Sequence, residues 1–473
     1  MKKVTIQQLA TDSGVVFGTS GARGLVEQMT PEVCIGYTAA FLNLFGSVPD
    51  QQVVVGIDLR PSSPEIARAC IFAIESAGLV AEFCGVVPTP ALALHAMQKR
   101  IPAIMVTGSH IPFDRNGIKF YRPEGEITKA DEAAIMGAEV ILPEPLALPD
   151  LPAVDEGAQQ RYMERYLQFF PVDMLAGLRV GFYQHSSVAR DLLTTLLARL
   201  GAEVIALGRT DKFVPIDTEA VSEEDAERAK AWVLEHQLDA LVSTDGDADR
   251  PLLGDEQGIW FRGDVVGLLC ARFLKAEALA TPVSCTTSIE KSGWFRHITR
   301  TRIGSPYVIE GMEALLAAGR APVVGFEANG GFLLGSKIER NGKTLLPLPT
   351  RDAVLPILAL LALAHEKRAP LSALTRELPK RFTASDRLQN ITKEHSRGLL
   401  ESLEGDSAPL TQLYGPVVAL DVTDGLRLTF ASGDIVHLRP SGNAPELRCY
   451  AEADNAVRAA ELVAEVLEFV RHQ

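Results

Sequence analysis

The chain has 473 residues with a formal net charge of -14, and 47% of its residues are apolar and 22% charged. That length is too great for one hydrophobic core and points to several domains, with the composition of a soluble globular protein. The acidic balance is spread along the chain, which argues against nucleic acid or an anionic membrane as a partner but leaves room for a small anion in a locally basic cleft.

In chain order, the opening MKKVTIQQLATDSG has lysines but no apolar run, so no cleaved leader is expected in it. FGTSGARG (17–24) combines glycines, which let backbone approach a ligand, with the planar cation of Arg23. QVVVGID (52–58) reads as a buried strand, PEIARACIFAIESAG (64–78) as an amphipathic helix, and LVAEFCG as the returning strand. The apolar run of PAIMVTGSH (102–110) empties into Gly-Ser-His, and NGIK places Lys119 ten residues beyond Ser109. The Pro-rich LPEPLALPDLPAVDEG (142–157) reads as a linker.

The pattern then repeats. LRVGFY (178–183), SVARDLLTTLLARLG (187–201) and AEVIALG (202–208) read as strand, helix and strand, and DALVSTDGDADR (239–250) is again an apolar strand ending in a special loop. APVVGFEANGG (321–331) is a third, less regular copy. VLPILALLALA (354–364) is too short to span a bilayer and reads as a core helix. The segment 417–442 alternates like antiparallel strands, and 455–472 reads as a closing amphipathic helix.

The expected fold is therefore α/β: three related α/β domains with mixed sheets (1–150, 151–257 and 258–370) and a smaller C-terminal α+β domain (371–473). Each of the first three presents one loop at a strand's C-terminal end, the end that binds ligands in open α/β sheets. Cys34, Cys70, Cys84, Cys270, Cys285 and Cys449 form no CxxC and no zinc spacing, and read as buried free thiols of a cytoplasmic protein.

Five segments carry chemistry. Asp245, Asp247 and Asp249 crowd negative charge at alternate positions, for which a divalent cation is the natural counterion, and oxygen-only ligands suit Mg²⁺ or Ca²⁺. The same spacing fits an EF-hand with Glu256 as its last ligand, but Arg250 stands where that loop needs glycine and the preceding segment is strand-like. A solvated acidic turn is the plain alternative. Ser109 lacks a GxSxG elbow, so acyl transfer has little support, whereas a serine beside a metal loop can carry a phosphoryl group. RPSGNAPELR (439–448) offers an arginine fork and a glycine-bearing turn to an anion, or is simply a β-turn with a surface arginine. FGTSGARG matches neither GxGxxG nor a P-loop, so no nucleotide site is indicated. Glu327 and Asn329 of GFEANGG could meet vicinal hydroxyls, or belong to an ordinary exposed loop.

TGSHIP…NGIK, DGDADRP, FGTSGARG, RPSGNAPE and GFEANGG, in their order along the chain, resemble the α-D-phosphohexomutase family, the phosphomannomutase and phosphoglucomutase group. The resemblance spans nearly the whole chain. It implies four domains around a central cleft and a phosphoserine at Ser109. It also implies Mg²⁺ held by Ser109, Asp245, Asp247 and Asp249. Arg23, His110, Lys119 and Arg250 would surround the transferring phosphoryl group, Glu327 and Asn329 would contact the sugar, and Arg439, Ser441, Gly442 and Asn443 would hold the other phosphate. The implied activity interconverts hexose 1-phosphate and hexose 6-phosphate through a hexose 1,6-bisphosphate, which also serves as activator, in a monomer or dimer. Mannose phosphate is the first expectation, glucose phosphate the alternative, and a non-catalytic sugar-phosphate binder a further one. The chain departs from the pattern at Asn329, Asn443, Ala444, Ser284 and Ser305, positions near the sugar and its phosphate, so the departures bear on the substrate and not on the reaction type.

Overall fold

Valine- and isoleucine-rich segments that bury both faces form the central strands. The computed structural model describes residues 2–18, 21–143, 146–441 and 446–472. In the first domain Gln52–Ile57 is flanked in parallel by Val80–Val86 and Ala103–Val106. The helices Ser63–Ser76 and Thr89–Lys99 each carry proline in the first turn, where a missing N–H breaks no helical bond. Ala103–Val106 then turns antiparallel into Arg115–Arg122, which pairs with Gly21–Leu25. The segment TGSH is thus the connection between a parallel strand and its antiparallel neighbour.

The arrangement recurs twice, as the repeat predicts. Arg179–Tyr183 is flanked in parallel by Glu203–Leu207 and Ala240–Thr244, and Ala240–Thr244 turns into antiparallel Pro251–Gly254. Ala278–Pro282 is flanked in parallel by His297–Thr301 and Val323–Phe326, and Val323–Phe326 turns into antiparallel Phe332–Leu334. The Ser109 loop, the Asp245 loop and the Glu327 loop therefore occupy one topological position in three sheets. The last region is a five-stranded antiparallel sheet, in the order Phe382–Gln389, Glu446–Ala453, Ile435–Pro440, Leu426–Phe430 and Val417–Asp421. The helix Ala456–Arg471 covers it, with Asn455 accepting from Arg458 N as its cap.

Two elements differ from expectation. The helix read over 187–201 spans Arg190–Arg199, because residues 187–189 form a turn fastened to the Asp245 loop: Val188 N donates to Gly246 O at 3.1 Å and the Ser187 and Thr244 hydroxyls meet at 2.6 Å. The Pro-rich stretch is a strap and not a free linker. Leu142 still pairs with Lys2, Leu146, Leu148 and Leu151 pack on the first domain's core, and Asp155 N donates to Phe83 O at 2.8 Å.

One buried apolar cluster runs from Val54 to Leu374, joining the first three domains, whereas residues 388–470 close around a core of their own. The last domain docks on the third largely through polar contacts. Glu452 accepts from Thr287 N at 3.0 Å and from Thr287 Oγ1 at 2.6 Å, and Asp424 accepts from Ile303 N at 2.9 Å. The six cysteines are free and buried. Among the described residues no helix is long and apolar enough to cross a membrane, and Val354–Lys367 is a core helix buried along Val354–Ala364.

Candidate active site

Ser109 is fully buried in left-handed backbone, at φ 53°. A non-glycine residue there is strained, and such strain persists where surrounding contacts impose it. Two residues from the end of Gln52–Ile57 supply those contacts. The buried Asp58 accepts from Thr107 Oγ1 at 2.8 Å, Gly108 N at 3.3 Å and Ser63 Oγ at 2.6 Å. Its ion-pair partner Arg60 donates to the carbonyls of Ser109, Ile111, Pro112 and Arg115 at 2.5–3.0 Å and stacks on Phe213. Position 108 must be glycine, since a Cβ would lie 2.6 Å from the Arg60 guanidinium carbon.

The serine hydroxyl faces the second domain and donates to Asp245 Oδ2 at 2.7 Å. Carboxylate oxygens of Asp245, Asp247 and Asp249 lie within 4.8 Å of one another, all fully buried. Burial first, then Asp247 and Asp249, push Asp245 well above the usual carboxylate range. Burial opposes the charge on Asp249 too, but Arg351, Lys119 and Arg250 hold it below that range. Oδ1 of Asp247 and Oδ1 of Asp249 are buried without a hydrogen-bond partner. Hard oxygen donors, two of them orphaned, fit a Mg²⁺-like cation. The calcium-loop alternative fails on Glu256, whose carboxylate accepts from Ser372 N and Oγ. A second group, Glu82, Cys84 and His95, is already occupied by the hydrogen bond of Glu82 with His95 at 2.7 Å and its ion pair with Lys99.

Cations surround the cluster. Lys119 Nζ donates to Asp247 at 2.6 Å and Asp249 at 2.7 Å, and Thr89 Oγ1 donates to Asp247 at 2.5 Å. Arg250 NH1 meets His110 Nδ1 at 2.9 Å, and His110 Nδ1 lies 3.4 Å from Ser109 Oγ. Arg250, then burial, then Arg23 push the imidazole down to about 2, so it is neutral. Arg23 is lowered to about 10 by burial and by Arg250 and Arg351. Arg23 lies beside these groups without a carboxylate in ion-pair range among the described residues, and a buried cation so placed suits an anion site.

Sequence reading missed Arg351, which lies 3.0 Å from Asp249, 3.8 Å from Glu327 and 4.0 Å from Glu126 and is 2% exposed. Exchanging Arg351 for methionine would take a cation from three buried carboxylates, of which Asp249 keeps Lys119 and Arg250. A loss of about 3 kcal/mol is expected, read as a lower urea midpoint at unchanged slope. It missed Asp58 and Arg60 as well, although their place at the C-terminal end of a parallel strand was a usable signal.

The predicted sugar loop lies deeper than expected. Glu327 is 4% exposed, raised by burial against the pull of Arg351 and Arg250, and Asn329 Oδ1 turns back to accept from Gly331 N at 2.9 Å. Ser305 donates to Glu126 at 2.8 Å, towards the first domain. Arg439 Nε donates to Asp424 at 2.8 Å, and Ser441 N donates to Glu446 O at 2.8 Å. Gly442, Asn443 and Ala444 lie outside the described residues. A cleft of about 830 Å³ opens between the first, second and last domains, bringing together Arg23, His110, Arg250, Ser441 and Arg448. That volume suits a small ligand. Neither Glu327, Asn329 nor Arg439 lines it.

A buried serine on an acidic cluster, with arginines at both walls of a sugar-sized cleft, can exchange a phosphoryl group with a bound anion. Comparison with known proteins agrees. Family descriptions of the three phosphoglucomutase/phosphomannomutase alpha/beta/alpha domains match residues 14–139, 160–258 and 262–382, and that of the C-terminal domain matches 376–469. The chain is 50% identical over 464 residues to a phosphomannomutase of Salmonella muenchen, covering 97% of this chain and 96% of the relative. It is 47% identical over 470 residues to a phosphomannomutase of Sinorhizobium fredii, covering 96% and 98%. Its fold superposes on a phosphoglucomutase/phosphomannomutase family protein of Burkholderia thailandensis with a TM-score of 0.73 at 20% identity, covering 96% of each chain. With all four domains matched in order and the serine facing the aspartates, the chain belongs to the phosphoglucomutase/phosphomannomutase family.

Proposed function

We propose that this chain interconverts mannose 1-phosphate and mannose 6-phosphate through a phosphoserine at Ser109 and a bound hexose 1,6-bisphosphate. The observation that carries the reading is the strained, buried Ser109 hydroxyl held 2.7 Å from an aspartate of an oxygen-only cluster. The phosphomannomutase relatives support mannose as the sugar. Reduced, buried cysteines support a cytoplasmic location.

Ser109, Asp245, Asp247 and Asp249 would hold Mg²⁺, which when bound offsets the charge of a transferring phosphoryl group. Arg23 and Arg250 bind and orient that group at one wall of the cleft. The phosphoryl group passes from Ser109 Oγ to the free sugar hydroxyl. The bisphosphate reorients, and its other phosphoryl group returns to Ser109. His110 is neutral with its Nδ1 taken by Arg250, so it positions groups and does not store the proton. Lys119 would take the proton of the attacking hydroxyl only as a neutral amine, after passing on the proton it now donates to Asp247 and Asp249. Ser441 and its neighbours, with Arg448, hold the second phosphate from the last domain. That domain has its own core, so it can move as a unit to admit the sugar and exclude water.

The test is ³¹P NMR with Mg²⁺, a trace of glucose 1,6-bisphosphate, and mannose, glucose or glucosamine 1-phosphate in turn. Mannose 6-phosphate should form fastest. Faster conversion of glucose 1-phosphate would make the chain a phosphoglucomutase, inorganic phosphate alone would indicate a phosphatase, and no change with any sugar would indicate a binding protein. Mg²⁺ at a hundred times its dissociation constant should also stabilise the stripped protein by about 2.7 kcal/mol. That gain, read as a higher Tm, should vanish in Asp245→Asn.

A further inference from the structure

Asp247 is held differently from the two aspartates beside it. Asp245 Oδ1 accepts from the backbone of its own loop, at Asp249 N and Arg250 N. Asp249 faces Lys119 of the first domain and Arg351 of the third. The side chain of Asp247 has two partners among the described residues, Lys119 Nζ at 2.6 Å and Thr89 Oγ1 at 2.5 Å. Both donate to Oδ2, and both come from the first domain. Its Oδ1 is buried without a hydrogen-bond partner.

Thr89 grips this residue at two points. It opens the helix Thr89–Lys99, stands between Pro88 and Pro90, and is fully buried. Its N–H donates to Asp247 O at 2.9 Å, while its hydroxyl donates to Oδ2. The helix has no side-chain cap of its own and no acidic residue in its first turn. Asp247, from the second domain, fills that place, and a carboxylate suits the free amides of a helix start. Behind Thr89 the helix is fixed by Ala91, Leu92, Ala93 and Leu94, which belong to the apolar cluster shared by the first three domains.

Two donors on Oδ2 set the plane of the carboxylate and leave the lone pairs of Oδ1 for a cation. Lys119 is less suited to do this alone. Its ammonium is shared with Asp249 and sits at the end of a flexible stem. Thr89 has a short, branched side chain on a packed helix, with little rotamer freedom to lose. Its hydroxyl is also uncharged, so it orients the carboxylate without adding positive charge that would repel a metal.

We propose that Thr89 is a positioning residue for the metal, locking Asp247 so that its free oxygen Oδ1 is the one offered to the cation. The proposal rests on the placement of Mg²⁺ at Ser109 and the three aspartates. Because Thr89 stands on the first domain, the cation site is complete only where the first two domains are docked, the same contact that brings Ser109 to Asp245.

The test titrates wild type, Thr89→Val, Thr89→Ser and Asp245→Asn with Mn²⁺, which stands in for Mg²⁺ and whose free ion is counted by its EPR signal. Wild type should bind, and Asp245→Asn should not. Thr89→Val keeps the shape and removes the donor. It should raise the Mn²⁺ dissociation constant about tenfold, as loss of a partner that orients a metal ligand does. Thr89→Ser keeps the donor and should stay near wild type. At saturating Mg²⁺ the KM of the valine variant for mannose 1-phosphate should match wild type, because Thr89 does not line the cleft. A valine variant with a lower metal-free Tm but wild-type Mn²⁺ affinity would reduce Thr89 to a packing contact and overturn the proposal. A serine variant as weak as the valine one would do the same, by showing that the methyl group and not the hydroxyl matters. Wild type that takes up no Mn²⁺ would overturn the metal placement together with the proposal. Turnover of mannose 1-phosphate, followed separately, tests the mutase reading by itself.

Discussion

Ser109→Ala is expected to lower hexose phosphate turnover by about four orders of magnitude or more, as loss of an essential nucleophile does. The protein should remain folded. The lost hydroxyl leaves Asp245 still accepting from Asp249 N at 3.1 Å and Arg250 N at 3.2 Å. Alanine must adopt the left-handed backbone that serine holds now, at φ 53°, a cost of about 1–2 kcal/mol shared by both residues. Glycine carries no such cost. Ser109→Gly should therefore be equally inactive and at least as stable, separating the chemistry from the fold. Intact-mass measurement after incubation with glucose 1,6-bisphosphate gives an independent readout: wild type gains one phosphoryl group and neither variant does. Wild-type turnover in either variant would end the phosphoserine reading.

Arg60→Ala is expected to have the largest effect on stability. One guanidinium satisfies the carbonyls of Ser109, Ile111, Pro112 and Arg115 and neutralises Asp58, which is 1% exposed. Its removal leaves a buried carboxylate without its cation, at about 3–5 kcal/mol. It also frees the loop that imposes the backbone of Ser109, so kcat should fall about a hundredfold, as for a small misplacement of reacting groups. Lysine should rescue little, because a point charge cannot span carbonyls arranged around a planar fork. Urea unfolding and kcat, measured on the same preparation, check both effects. A variant as stable as wild type would show that Asp58 and the loop carbonyls find other partners.

Much of this molecule is legible locally. Alternating buried strands and helices follow from backbone periodicity and apolar patterning. The three chemistry-bearing loops stand out because an apolar strand ends abruptly in residues with no packing role. The spacing of Asp245, Asp247 and Asp249 needs a counterion wherever the loop lies. Local patterning is less informative about direction. A polar loop at 325–331 is readable, but not that Asn329 turns back to Gly331 while Glu327 is buried near Arg351.

By itself the sequence determined the α/β repeat, the antiparallel last domain, the candidate serine loop and the acidic cluster, since each depends on residues close together in the chain. Only the tertiary structure decided which of them meet. Ser109 and Asp245 are 136 residues apart. Arg351 has no local signature of the carboxylates it holds, and Arg60 shows in sequence only its place after a parallel strand, not the carbonyls it gathers. The physical reason is that burial converts separate charges into strongly interacting ones, and burial between domains depends on packing that no short stretch of sequence encodes.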